Sequence, residues 1–303
     1  FINSGQTLPA VMDDDGTRMF FYPDKSAFRG GGITAANDAW QDGNISDYSF
    51  AFGKNAQASG GDGNVAIGVD VSASTSFFAI GGAVAMGTGT TASGIHSTAF
   101  GESTTASGAH SFAIGKNSTA SNSFSIAMGD NTTASGDTSM ALGDGTTASA
   151  TNSTAMGNGT TASGTSSTAM GLNTIASGNS GSAAIGNGAD ATGFASIAMG
   201  FGTTASGTYS TVMGAFSSAG GLTSFAAGQE AYALGDNSFA FGLGDPNNLN
   251  RPQVSGARSF GIFMGAQDAV DVTATDTMGL FGGKMVIDPS VPATVLSAQT
   301  GLD

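Results

Sequence analysis

Between Tyr48 and Leu243 the large apolar side chains are spaced out by Ala, Ser, Thr and Gly, and the spacing repeats. Glycine marks the register at 53, 68, 87, 101, 115, 129, 143, 157, 171, 186, 200, 214, 228 and 242, and every step from Gly87 to Gly171 is 14 residues. Longer steps carry their extra residues in GGDG at 60–63, around Gly81–Gly82 and in GNSGS at 178–182, where turns tolerate insertion. Two residues before the glycine stands Ala in thirteen of the fourteen units, with Val212 the exception. The residue just before the glycine is apolar, and five residues after each glycine through Gly228 comes another Ala, usually within T-T-A-S-G.

Each unit therefore has two seven-residue halves, punctuated by turn pairs such as Asp144-Gly145 and Asn158-Gly159. Halves this short read as two short strands per coil, not as helices. Alternation places Ser153 and Ala155 on one face of S-T-A-M-G, and Thr154 and Met156 on the other. In T-T-A-S-G at 160–164, Thr160 and Ala162 share one face, Thr161 and Ser163 the other. The small faces must meet, so Ala99, Ala106, Ala113, Ala127, Ala141, Ala155 and Ala169, with Ser, are predicted to fill a narrow roll interior. Gly is predicted to supply positive-φ corners. The expected fold is all-β, a parallel β-roll (a β-solenoid) of 14-residue coils.

The opposite face of the first strand then carries a continuous stripe: Phe100, Phe112, Ile114, Ile126, Met128, Met140, Leu142, Met156, Met170, Ile185, Ile197, Met199, Met213, Phe225, Phe239 and Phe241. Coils stack about 4.8 Å apart, so the stripe far exceeds the few hundred Å² that monomers expose. Its burial against copies of the same chain, at about 25 cal/mol per Å², is the largest stabilising contribution on offer. A closed rotational oligomer follows, with these residues as its interface.

Composition agrees with a thin repeated core. The 303 residues include 49 Gly, no Cys, one Trp and only 10% charged residues, with a net charge of −14. Eight Lys and Arg form no basic stripe, so nucleic acid is not an expected partner. No apolar run reaches the ~18–20 residues of a membrane span. The chain starts at Phe1 without an initiating Met or a signal peptide, which reads as a processed chain or a fragment.

S-x-A-φ-G-x-x-T-x-A-x-G at a 14-residue period resembles the head repeat of YadA-like trimeric autotransporter adhesins, a repeat also found in phage and phage-like tail fibres. The resemblance covers about residues 47–243. It implies a left-handed roll, assembly as a homotrimer, and a non-enzymatic, extracellular role in adhesion, as an adhesin head or tail-fibre filament on a cell surface or phage-like particle. The bound host or surface receptor, glycan or protein, is not readable.

The flanks depart from the repeat. Residues 1–46, with Met19-Phe20-Phe21-Tyr22-Pro23, Phe28 and Trp40, are expected to form an N-terminal cap over the first coil. Residues 244–303, with echoes at FGIFMG (260–265) and MGLFGG (278–283) and the ending KMVIDPSVPATV, are expected to form a C-terminal cap or transition region.

Candidate chemistry is sparse. His96 and His110 share one repeat position and are expected to stack, but their column continues as Phe124, Thr138, Asn152 and Ser166, the signature of a permissive turn. Asp13-Asp14-Asp15-Gly16 resembles part of a calcium loop without the remaining ligands. Gly-rich strings follow the repeat register, and no Ser-His-Asp set or spaced carboxylate pair stands out, so no catalytic residue, cofactor or metal is expected. One competing reading is ice binding through the outward Thr133/Ser135, Thr147/Ser149, Thr161/Ser163 and Thr204/Ser206 ladder.

Overall fold

A computed structural model describes residues 16–34, 39–76, 81–243, 253–264 and 271–281. Among the described residues two sheets face each other across the roll, 18 strands in the first and 15 in the second, all parallel apart from the opening strand of the first. Pairing keeps the sequence register throughout. Thr154–Asn158 lies beside Met140–Asp144 and Thr168–Leu172, with Met156 between Leu142 and Met170. In the second sheet Thr161-Ala162 lies between Thr147-Ala148 and Ile175-Ala176. Backbone hydrogen bonds tie each coil to the next, including Thr154 N to Ser167 O at 2.8 Å and Ser163 N to Ala176 O at 2.9 Å.

The interior is as narrow as its residues are small. Ala99, Ala106, Ala113, Ala127, Ala141, Ala155 and Ala169 have no solvent exposure, and neither has Ser153. Thr adds a further interior column that the Ala and Ser reading left out: Thr90, Thr104, Thr132, Thr146, Thr160, Thr174 and Thr203 are all fully buried. Several Ser hydroxyls turn back onto the chain, as Ser153 Oγ donates to Ala150 O at 2.6 Å. Others, among them Thr146 and Thr160 Oγ1, have no protein partner.

Glycine does supply left-handed corners at Gly89, Gly145, Gly159, Gly188 and Gly202, at φ 60–63°, but the glycines of A-φ-G are strand residues. Gly157 lies within Thr154–Asn158 at φ +126°, and a Cβ there would sit 1.9 Å from the carbonyl oxygen of Gly171 in the next coil. Their column brings backbone against backbone, which no side chain permits. The corners belong to two other left-handed columns. Asn117, Asn131, Gly145, Gly159 and Asn173 form one, and His96, His110, Phe124, Thr138 and Asn152 the other.

At the N-terminal end, β1 (Gly16–Tyr22) pairs antiparallel with β2 (Ala27–Ile33), which runs parallel to β3 (Phe50–Lys54) and so opens the first sheet. Phe20, Tyr22, Ile33, Trp40 and Ile45 form a small core over the first coil, with Trp40 Nε1 donating to Ala56 O at 3.2 Å. Arg29 stands in register with Ala51 and is fully buried. Its guanidinium donates to the carbonyl oxygens of Phe28, Ser49 and Ala58 and to Ser49 Oγ, and burial without a carboxylate holds its pKa below the usual value.

Past Leu243 the parallel ladder continues. Phe260–Met264 pairs with Phe239–Leu243, and Met278–Phe281 pairs with Phe260–Met264, so the region read as a cap or transition adds further coils. The interior there exchanges small for large. Gly261 stands where Ala240 stood and Phe263 where Gly242 stood, and fully buried Phe263 stacks on Phe281 at 5.4 Å.

Candidate assembly face

The face of the first sheet that looks away from the interior is built by the alternation of its five-residue strands. In each strand the middle residue and the one two before it point outward, so register alone stacks them into two columns. One column runs Phe100, Ile114, Met128, Leu142, Met156, Met170, Ile185, Met199, Met213, then Ala227 and Phe241. The other carries Phe112, Ile126, Met140, Ile197, Phe225 and Phe239, interrupted by Thr154, Thr168 and Ala183 between Met140 and Ile197 and by Thr211 before Phe225.

Within one chain this face is only half covered. Met128, Ile197, Met199, Met213, Phe239 and Phe241 each keep 37–39% of their surface exposed, and Met170 and Ile185 keep 36%. Phe100, Phe112, Ile114, Ile126, Met140, Leu142, Met156 and Phe225 are partly exposed. The stripe also reaches beyond the residues read from the sequence. Phe50 and Phe52 continue it with Ile67 and Met86 toward the N-terminal end, where Phe21 and Met19 are exposed on β1. Met278 and Leu280 continue it at the other end. The apolar residue before Gly53, Gly68 and Gly87 was the available signal.

The other surface columns carry less chemistry. His96, His110 and Phe124 are exposed and stack ring on ring, at 5.0 and 4.9 Å between centroids. All three sit at positive φ, near 56°, so the column is a corner. Face-to-face imidazoles direct their nitrogens side by side rather than at a common point. No group of three or more His, Cys, Asp or Glu that could hold a metal occurs among the described residues. Asp13, Asp14 and Asp15 lie outside the described residues. The Thr ladder of the second sheet holds register from Thr91 to Thr161, then meets Ile175 and Asp190 before Thr204, and ends in Ser218 and Tyr232. No helix among the described residues is long and apolar enough to cross a membrane.

The described surface thus has one extended apolar face on a rigid repeating scaffold. The family model for the YadA head domain repeat, which spans two copies of the repeat, matches at residues 81–104, 106–132, 134–160, 162–189, 191–217 and 219–244, just over half of the chain. No curated protein matches the chain. The matched segments fall on the coils whose strands build the apolar face, and the chain belongs to the YadA head domain repeat family.

Proposed function

We propose that the chain is a non-enzymatic segment of an adhesive fibre, in which three copies associate through the Met, Phe and Ile face into a rigid rod exposed outside the cell or on a phage-like particle. The observation that carries this reading is the unbroken, partly exposed apolar column from Phe100 to Met213, resumed at Phe241, with the shorter apolar runs of the neighbouring column beside it. A chain left alone would keep that face in water, whereas three copies around one axis remove it. Three strands, the left-handed coil and surface adhesion rest on the family, whose head domains are trimeric and act as adhesins. The mechanism is mechanical and multivalent: a stiff rod presents three copies of each surface feature, so weak contacts add.

The test is mass in solution. The native chain is expected at three times its 29.5 kDa. Met156→Asp with Met170→Asp places charges that association would bury unpaired, so the double variant is expected to remain a monomer. Trimers that survive the double substitution refute the interface. The ice-binding reading predicts thermal hysteresis, and the adhesive reading predicts none; the breaks at Ile175, Asp190 and Tyr232 in the Thr ladder favour the latter.

A further inference from the structure

A second departure from the repeat lies off the apolar face. Where other coils place Asn117, Asn131 or Gly145 at a left-handed corner, one coil places Phe216, at φ +53°. Where they place Thr in the second-sheet ladder, the following coil places Tyr232. A bulky ring at positive φ is disfavoured in the backbone, and Phe216 remains 41% exposed. Neither feature serves the core.

The two rings instead build a pocket. A cavity of about 310 Å³ is lined by Gly202, Thr204, Phe216, Ser217, Ser218 and Tyr232. This is at the lower end of small-molecule sites, which run from about 300 to 1,000 Å³. Gly202 occupies the corner one coil before Phe216, and even a Cβ there would come within 3.1 Å of the Phe216 ring. Phe201 packs edge-on against Phe216 at 4.9 Å, and Tyr232 Oη donates to Phe216 O at 2.9 Å, so both walls are held in place. Hydroxyls of Thr204 and Ser218 complete the lining, while Ser217 Oγ is engaged by backbone at Gly228 and Ala231.

Resting on the adhesive reading above, we propose that this pocket is a binding site for a neutral sugar ring of a surface glycan. A pyranose has an apolar C–H face that lies against an aromatic ring and a rim of hydroxyls that exchange hydrogen bonds with Thr and Ser, each both donor and acceptor. No charged side chain lines the pocket, and Asp190 precedes Thr204 in the ladder, so an anionic sugar is disfavoured. Each pocket alone binds weakly, and repetition around a rod raises the avidity.

The experiment uses the intact chain on an array of oligosaccharides ending in neutral hexoses or N-acetylhexosamines, with sialylated and sulfated forms alongside. Phe216→Asn and Tyr232→Thr restore residues that other coils already carry at these positions, so they preserve the roll. Neutral glycans are expected to bind, and either variant is expected to weaken binding about tenfold or more, the loss of roughly one good aromatic contact. Binding confined to sialylated or sulfated glycans, binding unchanged in both variants, or no glycan binding at all overturns the site. Retention of chain-coated beads on a cell layer, before and after enzymatic deglycosylation, reads adhesion separately. Beads that adhere equally to both layers with a blank array refute the sugar site and leave adhesion standing. Beads that never adhere, with neutral glycans bound on the array, refute adhesion and leave the site. Binding to peptides in place of sugars also overturns it.

Discussion

Gly157→Ala tests the glycine column most directly. The new methyl carbon would lie 1.9 Å from Gly171 O, 2.9 Å from its carbonyl carbon and 3.1 Å from its nitrogen, all backbone atoms with no rotamer to yield. The residue is also held at φ +126°, a conformation that L side chains rarely adopt. Backbone strain of this kind costs about 1–3 kcal/mol. Relief by parting the coils breaks ladder hydrogen bonds between Thr154–Asn158 and Thr168–Leu172, at about 1 kcal/mol each. With two such bonds lost the total is roughly 3–5 kcal/mol, well above the ~1 kcal/mol typical of point substitutions. Because a solenoid coil contacts only its neighbours, the damage stays local. Hydrogen exchange followed by mass spectrometry should show faster exchange in coils around 154–172, along with a lower denaturation midpoint. The control is Gly145→Asn, at φ +60°, where the nearest atoms lie 3.9 Å away and equivalent coils already carry Asn117 and Asn131. It is expected to be nearly neutral. Native-like exchange in Gly157→Ala refutes close backbone approach as the reason for the column.

Two further outcomes concern buried polar groups. Burial first, then the 2.7 Å hydrogen bond to Asp42 and the charges of Asp42 and Asp24, push the Tyr22 pKa up to about 12. Its folded pKa is raised above the unfolded value, so its contribution is present below about pH 10 and lost as pH rises through about 12. Arg29, shifted downward, acts in the opposite sense on the alkaline side, so tyrosinate absorbance is the cleaner readout. A late-ionising tyrosine absent from Tyr22→Phe, and shifted partway back in Asp42→Asn, is expected; a titration unchanged by Tyr22→Phe refutes it. Thr160→Val removes a fully buried hydroxyl without a protein partner and is expected to stabilise the fold by about 1–2 kcal/mol in thermal or denaturant unfolding. Destabilisation instead would show that the hydroxyl is satisfied in the folded chain.

Much of the roll was legible because strand alternation and parallel stacking are both local rules. A period of 14 with Ala two before each glycine determines, by itself, which side chains go inward, which go outward, and that Met156 stands between Leu142 and Met170. The apolar columns follow from the same rules once the register is known. Tertiary structure decided what depends on contact between coils. Only the stacked backbones show that Gly157 excludes a Cβ because of Gly171 and not because a corner needs it. Only they show that the Thr160 hydroxyl, on the Ala162 face, is enclosed without a protein partner, and that Gly261 and Phe263 exchange small and large to keep one interior filled. The pocket between Phe216 and Tyr232 had no sequence signal of its own, since the two residues are 16 apart and meet only because successive coils lie side by side. Their meeting is a property of the stack, which no single repeat contains.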